Sequence, residues 1–428
     1  RNLPRFITPY SEHFFPAMWG RCSGALLLAV VESTIISIPL ERKAAPFGYD
    51  GAASKTFYVG KMQVGNMEHP QELQVAFETA SGSMVLDSTH CQSPACMKHR
   101  QYMPTKTSAQ LNRAGGVVRT GEQAALTIDY NEESHASGVV VGDMMRDKIC
   151  IGSERHCADV GFLAAANMTD DPFTELPVDG IVGLSMEGLS ISSAFNFLHC
   201  ITAEPITEQS FGLFLPKHGF GEISFGGYNP RRLSSPISWV SVQEPAKGFW
   251  QVAVKGVYVG TEALDFCRGG CRAIVDSSSS HFTVPSEVLP TMQKKLAVTA
   301  AKGWLSERPL CEQAVGPTLT FALEDGMNLT LTAKEYSALE GQNCVAQLHP
   351  WDIEERRSVG TRREGQHVVA AGVSLQTIVL GEPILRKYYT IFDATNQRMG
   401  FGVASTEAVE SDEIILMQSA IRKKAHEL

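Results

Sequence analysis

Val75-Ala76-Phe77-Glu78-Thr79-Ala80-Ser81 is repeated in kind 198 residues later as Ala273-Ile274-Val275-Asp276-Ser277-Ser278-Ser279. Each copy is an apolar run that ends in one carboxylate and continues with small, hydroxylic residues. Each is also followed, 105 residues after its acid, by the glycine of an apolar-apolar-Gly triplet: Ile181-Val182-Gly183 and Val379-Leu380-Gly381. Leu73, Val75 and Phe77 alternate with Gln74 and Ala76, the period-two pattern of a half-buried strand running into the first turn. Ala273-Ile274-Val275 is apolar throughout, which suits a strand buried on both faces. Two lobes on one plan, each presenting an acid at a strand end, bring two carboxyl groups face to face. Such a pair shares a proton and can activate a water molecule.

The bulk composition agrees with a β-rich, two-lobed chain. At 428 residues there is length for two domains with substantial cores. Hydrophobic residues make up 43% and charged residues 19%, which reads as globular and not disordered. Gly and Pro recur between short Val/Ile/Phe/Thr runs, the pattern of an all-β architecture. A net charge of −9 argues against nucleic acid or an anionic membrane as partner. The clusters Arg356-Arg357, Arg362-Arg363 and Arg422-Lys423-Lys424 read as solvated surface.

Other chemistries find no support. The sequence holds no His-Glu-x-x-His, no clustered Cys/His metal spacing and no phosphate-binding glycine loop, so neither metal nor cofactor is expected. Ser277 to Ser280 followed by His281 is read as a turn, because adjacent strand residues point to opposite faces.

Further landmarks follow in order: Tyr58-Val59-Gly60, Cys91 and Cys96, Asp179-Gly180-Ile181-Val182-Gly183-Leu184, Gly221 to Gly227, Phe249-Trp250-Gln251-Val252, and Leu380-Gly381-Glu382 leading to Lys387-Tyr388-Tyr389-Thr390-Ile391-Phe392-Asp393. With the two acidic turns, they make the chain similar to the pepsin-like aspartic endopeptidases from about Phe57 to Ala404. The resemblance implies a bilobal pepsin-like fold, two pseudo-symmetric β lobes with a cleft between them. It also implies an extended peptide or protein substrate and a monomeric chain. Glu78 and Asp276 would be the catalytic acids. Thr79 and Ser277 would bond across between the turns, and Ser81 and Ser279 would hydrogen-bond the carboxylates from outside. Tyr130 stands at the position of the tyrosine on the hairpin flap.

The chain departs from the family's pattern at the same positions. The first acid is Glu78, whose extra methylene carries its carboxylate on the order of 1 Å too far, a misplacement that costs about 10²-fold in rate. Ala80 and Ser278 replace the glycine of each turn, and each adds a Cβ where the family has none. Asn131 and Glu133 replace flap glycines, and Val85 stands where a tryptophan would bond the flap tyrosine. The expectation is therefore an acid-pair protein that binds extended peptides, with hydrolysis weakened or lost. The alternative is an inactive pseudoprotease serving as a peptide- or protein-binding module of the secretory pathway.

The family pattern implies bridges Cys91–Cys96, Cys267–Cys271 and Cys311–Cys344. Cys150 and Cys157 are paired on local grounds, because they flank a hairpin tip. Cys200 is left over as a free thiol among Phe195, Phe197, Leu198 and Ile201. Disulfides persist in oxidising compartments.

The expected organisation has five parts. Residues 1–33 are read as a leader with a signal peptide starting near Met18, in which Arg21 precedes the apolar run Ala25–Val31. Residues 34–56 form a short pro-like segment, 57–232 the N-terminal lobe, 233–404 the C-terminal lobe and 405–428 a tail. The run Ala25–Val31 is too short to span a bilayer, which needs roughly 20 residues. The expected location is the secretory pathway: secreted, in an acidic vesicle or vacuole, or in the endoplasmic reticulum if the terminal His426-Glu427-Leu428 acts as a retrieval signal. Ser286–Ala301 is predicted as a capped helix with Leu289, Met292 and Leu296 on one face. His349–Ala371 is predicted as a polar surface insertion.

Overall fold

The computed structural model describes residues 35–47, 53–118, 125–132, 136–152, 156–203, 208–301, 309–351, 367–368 and 377–405. The signal-peptide reading, the flap residue Glu133, most of the His349–Ala371 insertion and the tail beyond Ser405 lie outside these residues. Among the described residues, no helix is long and apolar enough to cross a membrane.

The repeat seen in the sequence is a repeat in three dimensions. In the first lobe, strand Gln71–Glu78 lies antiparallel to Ala53–Val64 on one side and parallel to Gly180–Gly183 on the other. Past the acidic turn, Met84–Leu86 returns antiparallel to Gly180–Gly183 and runs parallel to His156–Met168. In the second lobe, Cys271–Val275 lies antiparallel to Gln251–Val259 and parallel to Thr377–Leu380. Past its turn, Phe282–Pro285 returns antiparallel to Thr377–Leu380 and parallel to Leu348–Trp351. Every neighbour relation around one acid is therefore matched around the other.

The glycines that end the two triplets have a steric reason. Each faces the opposite wall of its own turn, where a Cβ on Gly183 would meet the backbone of Ser81 and Ser83. On Gly381 it would meet the backbone of Ser279 and His281. No side chain fits, so the 105-residue interval ends on glycine both times.

A third group of strands ties the halves together. Ser238–Ser241, Arg398–Val403, Tyr388–Asp393, Ser210–Phe214, Gly221–Phe225 and the start of Ile36–Phe47 pair in that order, all antiparallel. The later part of Ile36–Phe47 then pairs with Ala53–Val64 of the first lobe. Residues 36–47, assigned from sequence to a pro-like segment, are thus a strand shared between the connecting layer and the first-lobe sheet. Beneath it Phe211 stacks on Phe392 at 4.5 Å, and Trp250 meets both rings edge-on at 5.9 and 5.2 Å. Trp250 is fully buried, and its indole N–H donates to the Leu184 carbonyl at 2.8 Å, directly after the first glycine triplet.

All four expected disulfides are present: Cys91–Cys96, Cys150–Cys157, Cys267–Cys271 and Cys311–Cys344. Cys150 and Cys157 face each other near the tip of the hairpin formed by Ala136–Ile151 and His156–Met168. Cys200 is free and half-buried, and burial pushes its thiol up to about 11. One element is shorter than its sequence predicts. The helix expected over Ser286–Ala301 covers only Leu289–Lys295, with Val288 at its N-cap and no side-chain cap. Pro290 lacks an N–H and is tolerated only in a first turn, which fixes the start. At the other end Thr299 leaves to pair with Val315.

Candidate active site

The two acidic turns are joined by four reciprocal hydrogen bonds. The Thr79 hydroxyl donates to the Val275 carbonyl at 2.9 Å and accepts from the Ser277 N–H at 3.0 Å. The Ser277 hydroxyl donates to the Phe77 carbonyl at 2.7 Å and accepts from the Thr79 N–H at 3.1 Å. Each hydroxyl therefore bonds the backbone groups on either side of the opposite lobe's acid. That clamp sets the Glu78 and Asp276 backbones side by side at the ends of their strands. Both acids are buried, at 5% and 8% exposure, with Thr79 at 1% and Ser277 at 7%.

The turns differ in what they offer their acids. The Ser278 N–H donates to Asp276 Oδ1 at 2.8 Å, and the Ser278 hydroxyl lies 2.9 Å from Oδ1 and 3.1 Å from Oδ2. Sequence reasoning treated position 278 only as an added Cβ and missed this contact. The signal was available: an Asp carboxylate that accepts from the N–H two residues on forms an Asx turn, and a Ser at that second position brings its hydroxyl to the same carboxylate. The Ser279 hydroxyl, expected to serve Asp276 from outside, donates to the His281 carbonyl at 3.1 Å. Ser81 is half-buried, and its carbonyl accepts from the Ser185 N–H at 3.1 Å.

Behind the second turn, Ser280 accepts from the Thr56 N–H at 2.8 Å, and the Glu382 N–H donates to the Ser279 carbonyl at 2.7 Å. The Glu382 carboxylate in turn receives Tyr58 at 2.8 Å and Arg42 at 3.2 Å, with Arg386 at 3.6 Å. The floor under Asp276 is thus held by residues from the shared strand and from the first-lobe sheet. His281 is pushed down to about 4, by burial first and then by the neighbouring His349 and Lys55, while Glu382 opposes the shift.

The hairpin expected to act as a flap is formed by Ala125–Glu132 and Ala136–Ile151, with Tyr130 opposite Gly138. The side chains of Tyr130 and Asn131 lie outside the described residues. Val85, at the family's tryptophan position, is 1% exposed and borders a small cavity of about 10 Å³. Asp87 and His99 also line it, with Asp87 Oδ2 3.1 Å from His99 Nδ1. No group of three or more potential metal ligands occurs among the described residues.

The buried pair makes stability depend on pH. Burial raises Asp87 to about 6, against the opposing contact with His99. For His99, burial alone would lower the imidazole, but the hydrogen bond and charge of Asp87 outweigh it and raise the group. A folded value above the unfolded one gives stability that is complete below the unfolded pKa and is lost as pH rises through the folded value. For Asp87 that window runs from 3.8 to about 6, and for His99 it opens at 6.5. His281 acts oppositely: its contribution is complete above 6.5 and is lost as pH falls through about 4. Asp87→Asn is therefore expected to flatten the fall in urea midpoint from pH 4 upward, and His281→Asn to flatten the loss toward pH 4. Midpoint-against-pH curves parallel to wild type in both variants would contradict these assignments.

The two-lobed β fold thus carries duplicated acidic turns that are clamped to each other by their own hydroxyls. The family described as eukaryotic aspartyl protease matches residues 57–404. Cathepsin E of Aquarana catesbeiana is 26% identical over 351 residues, covering 80% of this chain and 78% of that protein. Gastricsin of Rattus norvegicus is 26% identical over 354 residues, 81% of each chain, and pepsin II-2/3 of Oryctolagus cuniculus matches to the same extent. The chain belongs to the eukaryotic aspartyl protease family.

Proposed function

We propose that this protein is a divergent family member, with Glu78 replacing the first catalytic Asp, that binds extended peptides between its lobes and hydrolyses them slowly. In the reaction a water oxygen bonds to the peptide carbonyl carbon. The ionised acid takes a proton from that water, and the protonated acid gives its proton to the carbonyl oxygen as the C=O π bond opens. The C–N bond of the resulting gem-diol then breaks as the first acid passes its proton to the departing nitrogen and the second takes a hydroxyl proton back. The observation that carries this reading is the four-bond clamp between the Thr79 and Ser277 turns, whose bonds go to the backbone groups flanking two buried acids. Glu78, Ala80 and Ser278 account for the low rate, since they alter the length of one acid and the space beside both.

A second reading, a peptide-binding module without hydrolysis, is favoured by the Ser278 hydroxyl, which occupies hydrogen-bonding capacity on both oxygens of Asp276. In that case an extended segment is held by strand addition alone. The four disulfides support a secretory route for either reading.

The deciding experiment incubates the full chain with a mixed peptide library from pH 3 to 7, with and without a statine-type peptide. Slow cleavage with an acidic optimum, blocked by the statine-type peptide and abolished in Asp276→Ala, is expected. Cleavage that persists in Asp276→Ala overturns the acid-pair reading. Binding of the statine-type peptide with no cleavage establishes the second reading.

A further inference from the structure

We propose that Asn167 and Asn328 are acceptors for N-linked oligosaccharide, added as the chain enters the secretory pathway. Each opens an Asn-x-Thr triplet without proline, Asn167-Met168-Thr169 and Asn328-Leu329-Thr330, and no other Asn in the chain has Ser or Thr two residues on. Such triplets also arise by chance, and their placement in the fold is what singles these out. In both, strand alternation buries the middle side chain, Met168 at 7% and Leu329 at 0% exposure, and turns the Asn to solvent. The four disulfides support the oxidising route on which this modification occurs.

Both Asn residues stand at strand ends, where a bulky group finds room. Asn167 is the last residue but one of His156–Met168 and lies opposite Val141, a large apolar side chain that is 36% exposed. Directly opposed residues share a face of the sheet, so the first sugar would lie over Val141. Asn328 opens Asn328–Leu331, which stands last in its sheet among the described residues. The turn before it is exposed from Glu324 to Gly326, and a Cβ on Gly326 would meet nothing within 4 Å. A sugar on this end strand would also keep other chains from pairing with it.

The threonine hydroxyls fix the order of events. Thr169 donates to the Asp171 carbonyl at 2.8 Å and accepts from the Val139 N–H at 3.1 Å, and the Thr330 hydroxyl lies 3.1 Å from that of Thr320. A transferase that reads these hydroxyls therefore acts before the strands pair. In the transfer, the Asn amide nitrogen bonds to the anomeric carbon of a polyisoprenyl-diphosphate oligosaccharide. The bond from that carbon to the phosphate oxygen breaks, its electron pair leaves with the lipid diphosphate, and the amide gives up one proton to the transferase.

The test expresses the full chain behind a host secretion signal in animal cells. Peptide N-glycosidase in oxygen-18 water converts each glycosylated Asn to a labelled Asp, which mass spectrometry maps. Label is expected at both 167 and 328. Asn167→Gln and Asn328→Gln should each lower the mass by one glycan, and the double variant should no longer respond to the glycosidase. Thr169→Ser and Thr330→Ser keep the triplet and should keep the glycan, whereas Thr169→Val and Thr330→Val should lose it. Protein retained in the cell is extracted from the endoplasmic reticulum and mapped in the same way, so a variant that folds poorly still gives a result. An unlabelled Asn in the disulfide-paired wild-type chain overturns the assignment at that position, whichever reading of the acid pair holds.

Discussion

Glu78→Asp combined with Ala80→Gly and Ser278→Gly is expected to raise peptide hydrolysis by at least about 10²-fold over the wild-type chain. The aspartate withdraws the first carboxyl by one methylene, restoring the distance at which one water reaches both acids. Gly at 278 keeps the backbone N–H that bonds Asp276 Oδ1 at 2.8 Å, but removes the hydroxyl shared between Oδ1 and Oδ2. The freed acceptor sites are those a water needs. Gly at 80 removes the Cβ from the first turn, making the two sides alike. The scaffold requires no repair, because the Thr79–Ser277 clamp is already complete. The single change Ser278→Gly should give a smaller gain than the triple change, because Glu78 still overreaches. The measurement is initial cleavage rate on one extended peptide, with disulfide pairing verified in each variant. A folded, fully paired triple variant with no gain would place the defect in the hairpin residues Asn131 and Glu133, or at Val85.

How far the sequence could be read depends on the range of each interaction. The acidic turns, the 105-residue intervals and the strand before each acid were legible, because strand alternation and turn composition are local signals. The triplet glycines were visible as a pattern, but their cause, a Cβ meeting the turn backbone, needed coordinates. The Cys150–Cys157 pair was local too, and Cys91–Cys96, Cys267–Cys271 and Cys311–Cys344 came through family resemblance. What stayed hidden was long-range. Arg42 and Glu382 are 340 residues apart in the chain, and nothing in either neighbourhood announces the other. The same holds for the strand Ile36–Phe47, part of the segment read as pro-like, whose hydrogen bonds go to Gly221–Phe225 and Ala53–Val64. The Ser278 contact was hidden for a different reason. Comparison with a glycine pattern registers a hydroxyl as an excess atom and overlooks what it can donate.

Loss of the Glu382 carboxylate is expected to be the most destabilising single change in the connecting region, at about 3 kcal/mol for Glu382→Ala. Its side chain is 3% exposed and faces Arg42, Arg386 and the Tyr58 hydroxyl. Burial and the Glu382 charge together push the Tyr58 phenol well above its ordinary value, so it stays a neutral donor. Truncating Glu382 leaves that donor and two guanidinium groups without their acceptor. Removing one partner of a buried ion pair costs on the order of 3–5 kcal/mol. The lower end applies here, because the Arg42 side chain is 36% exposed and water can recover part of its solvation. Denaturant unfolding of Glu382→Ala and of Glu382→Leu with Arg42→Met separates the two contributions. The double variant should recover part of the loss, since one of the two stranded cations is gone and apolar side chains refill the site. A loss below about 1 kcal/mol for Glu382→Ala would mean that the network is solvated like a surface pair. The consequence reaches the acids, because the Glu382 N–H holds the Ser279 carbonyl at 2.7 Å and Arg42 holds Thr56, whose N–H bonds Ser280. Loosening this floor frees the turn that carries Asp276, so Glu382→Ala should weaken statine-type peptide binding even where the chain remains folded.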